Sequence, residues 1–361
     1  MENIALAVGR APAWTRSAGH RLHPLVAVAR DITELTGVPV DLERELLLRA
    51  RLAGLAAPDR TSAGGSCHLM RAADGWVAVN LARPDDHAAL PALLNLLGGG
   101  GELEGDPLSR LRRAVAARPA AEAAGHTQLL GVAAAFLGSE AGRRPPVLRE
   151  RVGRAGPPRP FSAVRVTDFS ALWAGPLCAR LLGLAGADVV KVECAGRPDG
   201  ARRGTPAFYR HLHHGHRGVV LDFADRDALL ATVADADVVI EASRPRALRR
   251  LGLCAQRFLA VRPGRVWVSI TGYGRGDDRI AFGDDAAVAG GLVTLGPDGG
   301  GPAFLGDAIA DPVTGIYAAQ AAARSLRDGG GHLVCVSMAA CAAELADSAP
   351  GDGDGVGDGR V

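Results

Sequence analysis

At 361 residues, with 48% hydrophobic side chains and a formal net charge of +2, the chain has room for two domains with cores of their own and lacks the charge of a polyanion binder. No stretch reaches the roughly 18 consecutive apolar residues that a membrane-spanning helix needs, so neither nucleic acid nor membrane is an expected partner. Of 41 basic residues, Lys191 is the single lysine.

The amino end, MENIALAVGRAPAW, has no basic region leading into a long apolar core and reads poorly as a signal peptide. Next comes HPLVAVARDITELTGVPVDLERELLLRARLAGL, whose apolar residues at spacings of three and four predict helices. SAGGSCHLMRAADGWVAVNLARPDDHAALPALLNLL then predicts a hairpin followed by a helix. Leu69 and Met70 lead in, Asp74-Gly75 marks the turn, and Trp76, Val77 and Val79 return. The run Gly98–Gly101 has neither the preceding strand nor the following Lys-Ser/Thr of a phosphate loop and reads as a plain loop. Residues 141–160, rich in Pro, Gly and Arg, read as a linker that separates a unit over 1–140 from one over 161–345. Six scattered cysteines (67, 178, 194, 254, 335, 341), with no C-x-x-C, suit free thiols in a reducing cytoplasm.

Residues 164–193 carry the strongest local signal. Val164, Val166 and Phe169 predict a strand, Leu177, Leu181, Leu182 and Leu184 one face of a helix, and Gly186 its end before a second strand from Asp188. Such a unit requires a crossover and a parallel sheet. Ala174, Gly175 and Pro176 sit where strand passes to helix, so the free N–H groups at this helix start mark a place for a phosphate-bearing ligand, although no G-x-G-x-x-G occurs. In HLHHGHR, a strand would put His211 and His213 on one face and invite a metal. Asp311, ahead of Pro312 and the apolar GIYAAQAAARSL, reads as a helix N-cap whose helix end keeps the carboxylate ionised. The tail, 346–361, repeats Gly and Asp, lacks the Glu and flanking helices of a calcium loop, and reads as disordered.

Together with FYRHLHHGHRGVVLDF (208–223), DADVVIEASRPRALRRLGL (235–253), VWVSITGYG (266–274) and LGDAIADPVTGIYAAQAAA (305–323), this unit resembles the family III CoA-transferases from residue 164 to about 340. The resemblance implies an α/β fold: a large domain with an open, Rossmann-like parallel sheet, and a smaller α+β domain. A glycine-rich loop before a "DGW" hairpin is similar to that small domain, here placed first in a permuted order. The implied activity moves CoA between an acyl-CoA and a carboxylic acid, in a homodimer, with the CoA thioester as substrate and no further cofactor.

By the same resemblance Asp311 is the nucleophile. Ala174, Gly175, Pro176, Lys191, Leu221 and Arg250 meet CoA, and Trp173 lies beside the acyl chain. His216 and Arg217 stand in for a basic pair near CoA, with no metal, and Asp307 is a supporting group. The chain departs from the family pattern at Cys194 and at Glu241, Ala242 and Ser243. Two alternatives stand beside this reading. The related α-methylacyl-CoA racemases use a His before an Asp where this chain has Phe282, Gly283, Asp284 and Asp285, which leaves an Asp284 carboxylate to substitute for the imidazole. A degenerate homologue that only binds acyl-CoA is the other.

Overall fold

The computed structural model describes residues 21–98, 105–243, 245–296 and 299–348. The amino end, most of the Gly98–Gly101 run and the tail from 349 onward lie outside the described residues.

Two helices, α1 (His23–Thr36) and α2 (Leu42–Ala53), come first. Asp41 caps α2 by accepting from the Arg44 N–H at 3.0 Å. Leu25, Val28, Ile32, Leu46 and Leu47 from these helices are buried in the core of the large sheet. At about 1.5–3 kcal/mol for each fully buried aliphatic side chain, that docking is substantial. The expected single unit over 1–140 is corrected accordingly: its first helices pack with the large sheet.

The small unit itself holds an antiparallel sheet of β1 (Cys67–Arg71), β2 (Trp76–Asn80) and β3 (Ala133–Phe136). Four helices accompany it: α3 (Pro84–Ala88), α4 (Leu90–Leu96), α5 (Pro107–Ala116) and α6 (Ala120–Leu129). Arg71 pairs with Trp76 across the hairpin, and Asp74 at its tip accepts from the Ala120 N–H at 2.7 Å. Met70, Val77, Val79, Leu93, Leu111 and Val115 form a separate core.

The stretch expected as a linker contributes β4 (Val147–Arg151), which pairs antiparallel with a strand near the end of the chain. Arg149 and Arg151 make that edge charged and unattractive to a further strand. After it come β5 (Arg165–Asp168), α7 (Ala174–Leu184), β6 (Asp188–Cys194), α8 (Pro206–His213), β7 (Arg217–Leu221), α9 (Arg226–Ala234) and β8 (Val238–Glu241). Then follow α10 (Pro245–Arg250), α11 (Ala255–Val261), β9 (Val266–Thr271), α12 (Gly283–Ala289), the β10 (Val293–Leu295) and β11 (Pro302–Phe304) ribbon, α13 (Ala310–Arg327), β12 (His332–Ser337) and α14 (Met338–Asp347). The large sheet runs β4-β12-β9-β8-β5-β6-β7, parallel throughout except for β4.

Alternation along the strands explains why both faces are covered. Val238 and Ile240, Val266 and Val268, and Val334 and Val336 enter one core with α7 and α13. Val239, Trp267 and Leu333 enter the other, with Phe258 and Leu259 of α11. The chain builds β5, β6 and β7 outward on one side and then crosses to β8 on the other, so the order reverses between β5 and β8. In open α/β sheets a ligand crevice forms at such a point, outside the carboxyl ends of the strands.

Helices α7 and α13 meet closely at Gly315, where a Cβ would lie 2.6 Å from the Ala174 carbonyl oxygen and 2.9 Å from Leu177 Cβ. Gly315→Ala is therefore expected to push the helices apart and lower stability by about 1–3 kcal/mol, measured as a shifted urea midpoint.

Candidate active site

The expected ligand residues are carried by four adjacent strands, β8, β5, β6 and β7, and the segments that follow them. Ala174, Gly175 and Pro176 form the buried first turn of α7 after β5, and Leu221 ends β7. Arg250 ends α10, the helix after β8, and is exposed. Lys191 pairs with Asp168 in register across β5 and β6.

Lys191 differs from expectation. Its side chain is 3% exposed, and its ammonium lies 3.1 Å from Asp199 and 3.8 Å from Asp168 and donates to the Ser170 carbonyl. The charge is consumed inside the protein, and it holds the loop leading to α7. Ser170 accepts nothing further from it at the side chain; its hydroxyl donates to Asp168. Asp199 also accepts from the Leu172 N–H at 2.9 Å.

The histidine segment is corrected as well. Residues 206–213 are helical, so His211 and His213 do not share a strand face. His211 Nε2 lies 3.0 Å from Glu45 and its Nδ1 3.2 Å from Arg44 Nη2. His213 packs between Tyr209 and His216, at 4.4 and 5.8 Å between ring centroids. Burial, with Lys191 nearby, takes His213 down to about 3, and burial, with Arg180 and Lys191 nearby, takes His216 down to about 4. His216 is thus neutral at pH 7 and does not act as half of a basic pair. Among the described residues, no three His, Cys, Asp or Glu side chains are placed to hold a metal.

Asp311 stands in the first turn of α13, one position inside the helix, and Ile309 occupies the N-cap. Its expected capping role is corrected. The residue keeps partial exposure, and its carboxylate stands against Gly283 of α12. A Cβ on Gly283 would fall 2.5 Å from Asp311 Oδ2 and 2.4 Å from the Ala308 carbonyl oxygen, so only glycine admits this approach. Gly315, one helical turn beyond Asp311, touches Ala174, which brings the carboxylate and the α7 turn to one place.

Two more carboxylates crowd Asp311. Asp284, in the first turn of α12, accepts from the Ala308 N–H at 3.0 Å, and the Ser62 side chain lies beside it. Asp307 is 2% exposed and accepts from Arg49 Nη1 of α2 at 3.0 Å. The Arg49 guanidinium also lies 5.6 Å from the Trp173 ring centroid. Trp173 is buried and packs edge-to-face on Phe208 at 5.0 Å; it reaches the carboxylates through Arg49. Beside them Asp285 accepts from Asn80 Nδ2 of β2 at 3.0 Å.

Burial dominates the titration of this group. It takes Asp311 up to about 7, against the pull of Arg49 and with the push of Asp284 and Asp307. Asp284 rises to about 6 through burial and Asp307, and Asp285 to about 7 through burial despite the Asn80 hydrogen bond. The expectation that the helix end keeps Asp311 ionised at neutral pH is corrected: neighbouring carboxylates and desolvation outweigh it. Among the described residues, the only non-glycine residues with positive φ are Leu172 (70°) and Ala308 (44°). Each costs roughly 1–3 kcal/mol, each flanks this site, and each is held by a carboxylate, Asp199 or Asp284.

Arg49, Ser62 and Asn80 carry no sequence signal of function. They reach the site only because α2 and the small unit dock on the large sheet. Asn80 bonds α12, the Gly138 N–H donates to the Val288 carbonyl at 3.0 Å, and the Phe304 N–H to the Asp59 carbonyl at 2.9 Å.

Fold and site together define an α/β protein with a carboxylate cluster at the carboxyl edge of its parallel sheet. The family model described as CoA-transferase family III matches residues 161–359, and the chain belongs to that family. It is 31% identical over 201 residues to a succinyl-CoA–D-citramalate CoA-transferase of Chloroflexus aurantiacus, covering 50% of each chain. It is also 31% identical over 195 residues to a formyl-CoA:oxalate CoA-transferase of Afipia carboxidovorans, covering 49% of this chain and 46% of that one. The crystal structure of a CAIB/BAIF family protein from Brucella suis is 28% identical, with a TM-score of 0.47, over 52% of this chain and 55% of the other. The chain spans about half the length of the curated relatives it matches.

Proposed function

We propose that the protein transfers CoA from an acyl-CoA to a carboxylic acid, with Asp311 as the covalent nucleophile. The observation that carries this reading is the placement of Asp311: its carboxylate stands against Gly283, where only glycine fits, and is adjacent to the α7 turn at the sheet's ligand crevice. Its carboxylate attacks the thioester carbonyl, forming a mixed anhydride and releasing CoA thiolate. The thiolate then attacks the aspartyl carbonyl, which expels the donor acid and leaves an aspartyl-CoA thioester. An acceptor carboxylate attacks that thioester, and the released thiolate takes the acceptor acyl group, so that Asp311 is regenerated. The free N–H groups of the α7 first turn and the exposed Arg250 are suited to the CoA phosphates.

Incubation with an acyl-CoA, followed by hydroxylamine and mass spectrometry, is expected to place a hydroxamate on Asp311. Since the nucleophile is the ionised form and the group titrates near 7, the initial rate is expected to rise from pH 6 to pH 8. Below the midpoint it should fall about tenfold per pH unit. A flat profile over that range would remove Asp311 from the role.

A second reading is favoured by one observation: Asp284 and Asp311 belong to the same carboxylate cluster, and burial holds them up at about 6 and about 7. Such a pair suits proton exchange at the carbon next to the thioester. Incorporation of solvent deuterium into the acyl-CoA without a hydroxamate selects it, and CoA binding with neither outcome selects a non-catalytic binder. A homodimer and a cytoplasmic location complete the proposal. Light scattering checks the first, and the six unpaired thiols are compatible with the second.

A further inference from the structure

We infer that Arg49 is a positioning residue for the Asp311 nucleophile, a fixed cation tied to the neighbouring Asp307 that offsets the negative charge around Asp311 without binding it. The inference rests on the covalent reading above and adds to it a residue outside the family-matched segment.

The geometry separates the two functions of the guanidinium. Its hydrogen bond goes to Asp307, at 3.0 Å, and its face to Trp173, at 5.6 Å. Asp311 Oδ2 stands instead against Gly283, where a Cβ would fall 2.5 Å from it. A direct Arg–carboxylate fork would occupy the very oxygens that must attack. A cation tied to the neighbouring carboxylate acts on Asp311 through space and leaves its oxygens free.

Charge balance requires such a group. Asp311 comes from α13, Asp284 and Asp285 from α12, Asp307 from the preceding loop, and the Cys67 thiol of β1 lies near Asp284 and Asp285. Arg49 of α2 is the cation acting on Asp311, Asp284 and Asp307 alike. Its stem is anchored where α2 buries Leu46 and Leu47, and a Cβ at Gly64 would lie 3.4 Å from Arg49 Nη2. The helix, the glycine-rich loop and Trp173 thus hold the charge in place.

The test follows the pH dependence of hydroxamate formation on Asp311 in the full chain, for wild type, Arg49→Gln, Arg49→Lys and Asp307→Asn. With the cation removed, the Arg49→Gln midpoint is expected to move up by about one pH unit or more, with the rate recovering at high pH. Arg49→Lys should return it towards wild type, and Asp307→Asn, which removes a negative charge, should move it down. A merely structural Arg49 would lower the rate at every pH and leave the midpoint alone, and that result overturns the inference. If Arg49→Gln does not fold, Asp307→Asn carries the test, and an unmoved midpoint there overturns it equally. Absence of any hydroxamate in wild type instead removes the nucleophile, and this inference with it.

Discussion

Asp311→Asn is expected to abolish CoA exchange, by at least ~10³-fold, in a protein that remains folded. The amide cannot form the anhydride, so every later step is lost. Its position inside the first turn of α13 means that no cap is removed. The sign of the stability change follows from linkage. The folded carboxyl titrates near 7, above its unfolded value, so its contribution is complete at acid pH and is lost as pH rises through neutrality. Asn escapes that loss, and the variant should match wild type near pH 4 and be at least as stable at pH 8. Thermal unfolding at the two values, beside a thiol-release assay of exchange, checks both halves. Exchange at the wild-type rate in this variant would end the covalent mechanism, and a collapsed melting curve at pH 8 would make Asp311 a structural residue.

Lys191→Met is expected to destabilise the protein by about 3–5 kcal/mol, the usual result of removing one partner from a buried ion pair. Asp168 and Asp199, both without exposed side-chain surface, would be left facing each other, and the Ser170 carbonyl would lose its donor. Burial already holds Asp168 above the ordinary carboxylate range, opposed by Lys191. Without the ammonium it rises further, so the deficit should be largest at neutral pH and shrink as acid protonates Asp168. Urea unfolding at pH 5 and pH 7.5 measures this. If Lys191 served CoA instead, Lys191→Met would leave stability unchanged and raise only the apparent KM for the acyl-CoA.

The crossover unit at 164–193 was legible because its parts are local. Strand alternation, the Leu177–Leu184 stripe and the turn at Gly186 are each settled within a few residues, and the structure has β5, α7 and β6 there. Asp311 was legible only through the resemblance, since an Asp before Pro on its own reads as a cap. The linker was misread for a related reason. Pro, Gly and Arg describe an exposed segment, and an edge strand such as β4 is exposed on the same terms. The histidine segment showed no period of its own, because a short polar run cannot tell helix from strand.

What the sequence by itself determined is the parallel α/β framework, the turn of Ala174 to Pro176 and the family membership, all of which depend on short-range pattern. Tertiary structure alone decided the electrostatics. Arg49 lies 258 residues from Asp307, and Asn80 lies 205 from Asp285, so no local pattern links either pair. Titration of Asp311 depends on how many charges share a desolvated volume, and that number exists only after α2, the small unit and the large sheet have packed together.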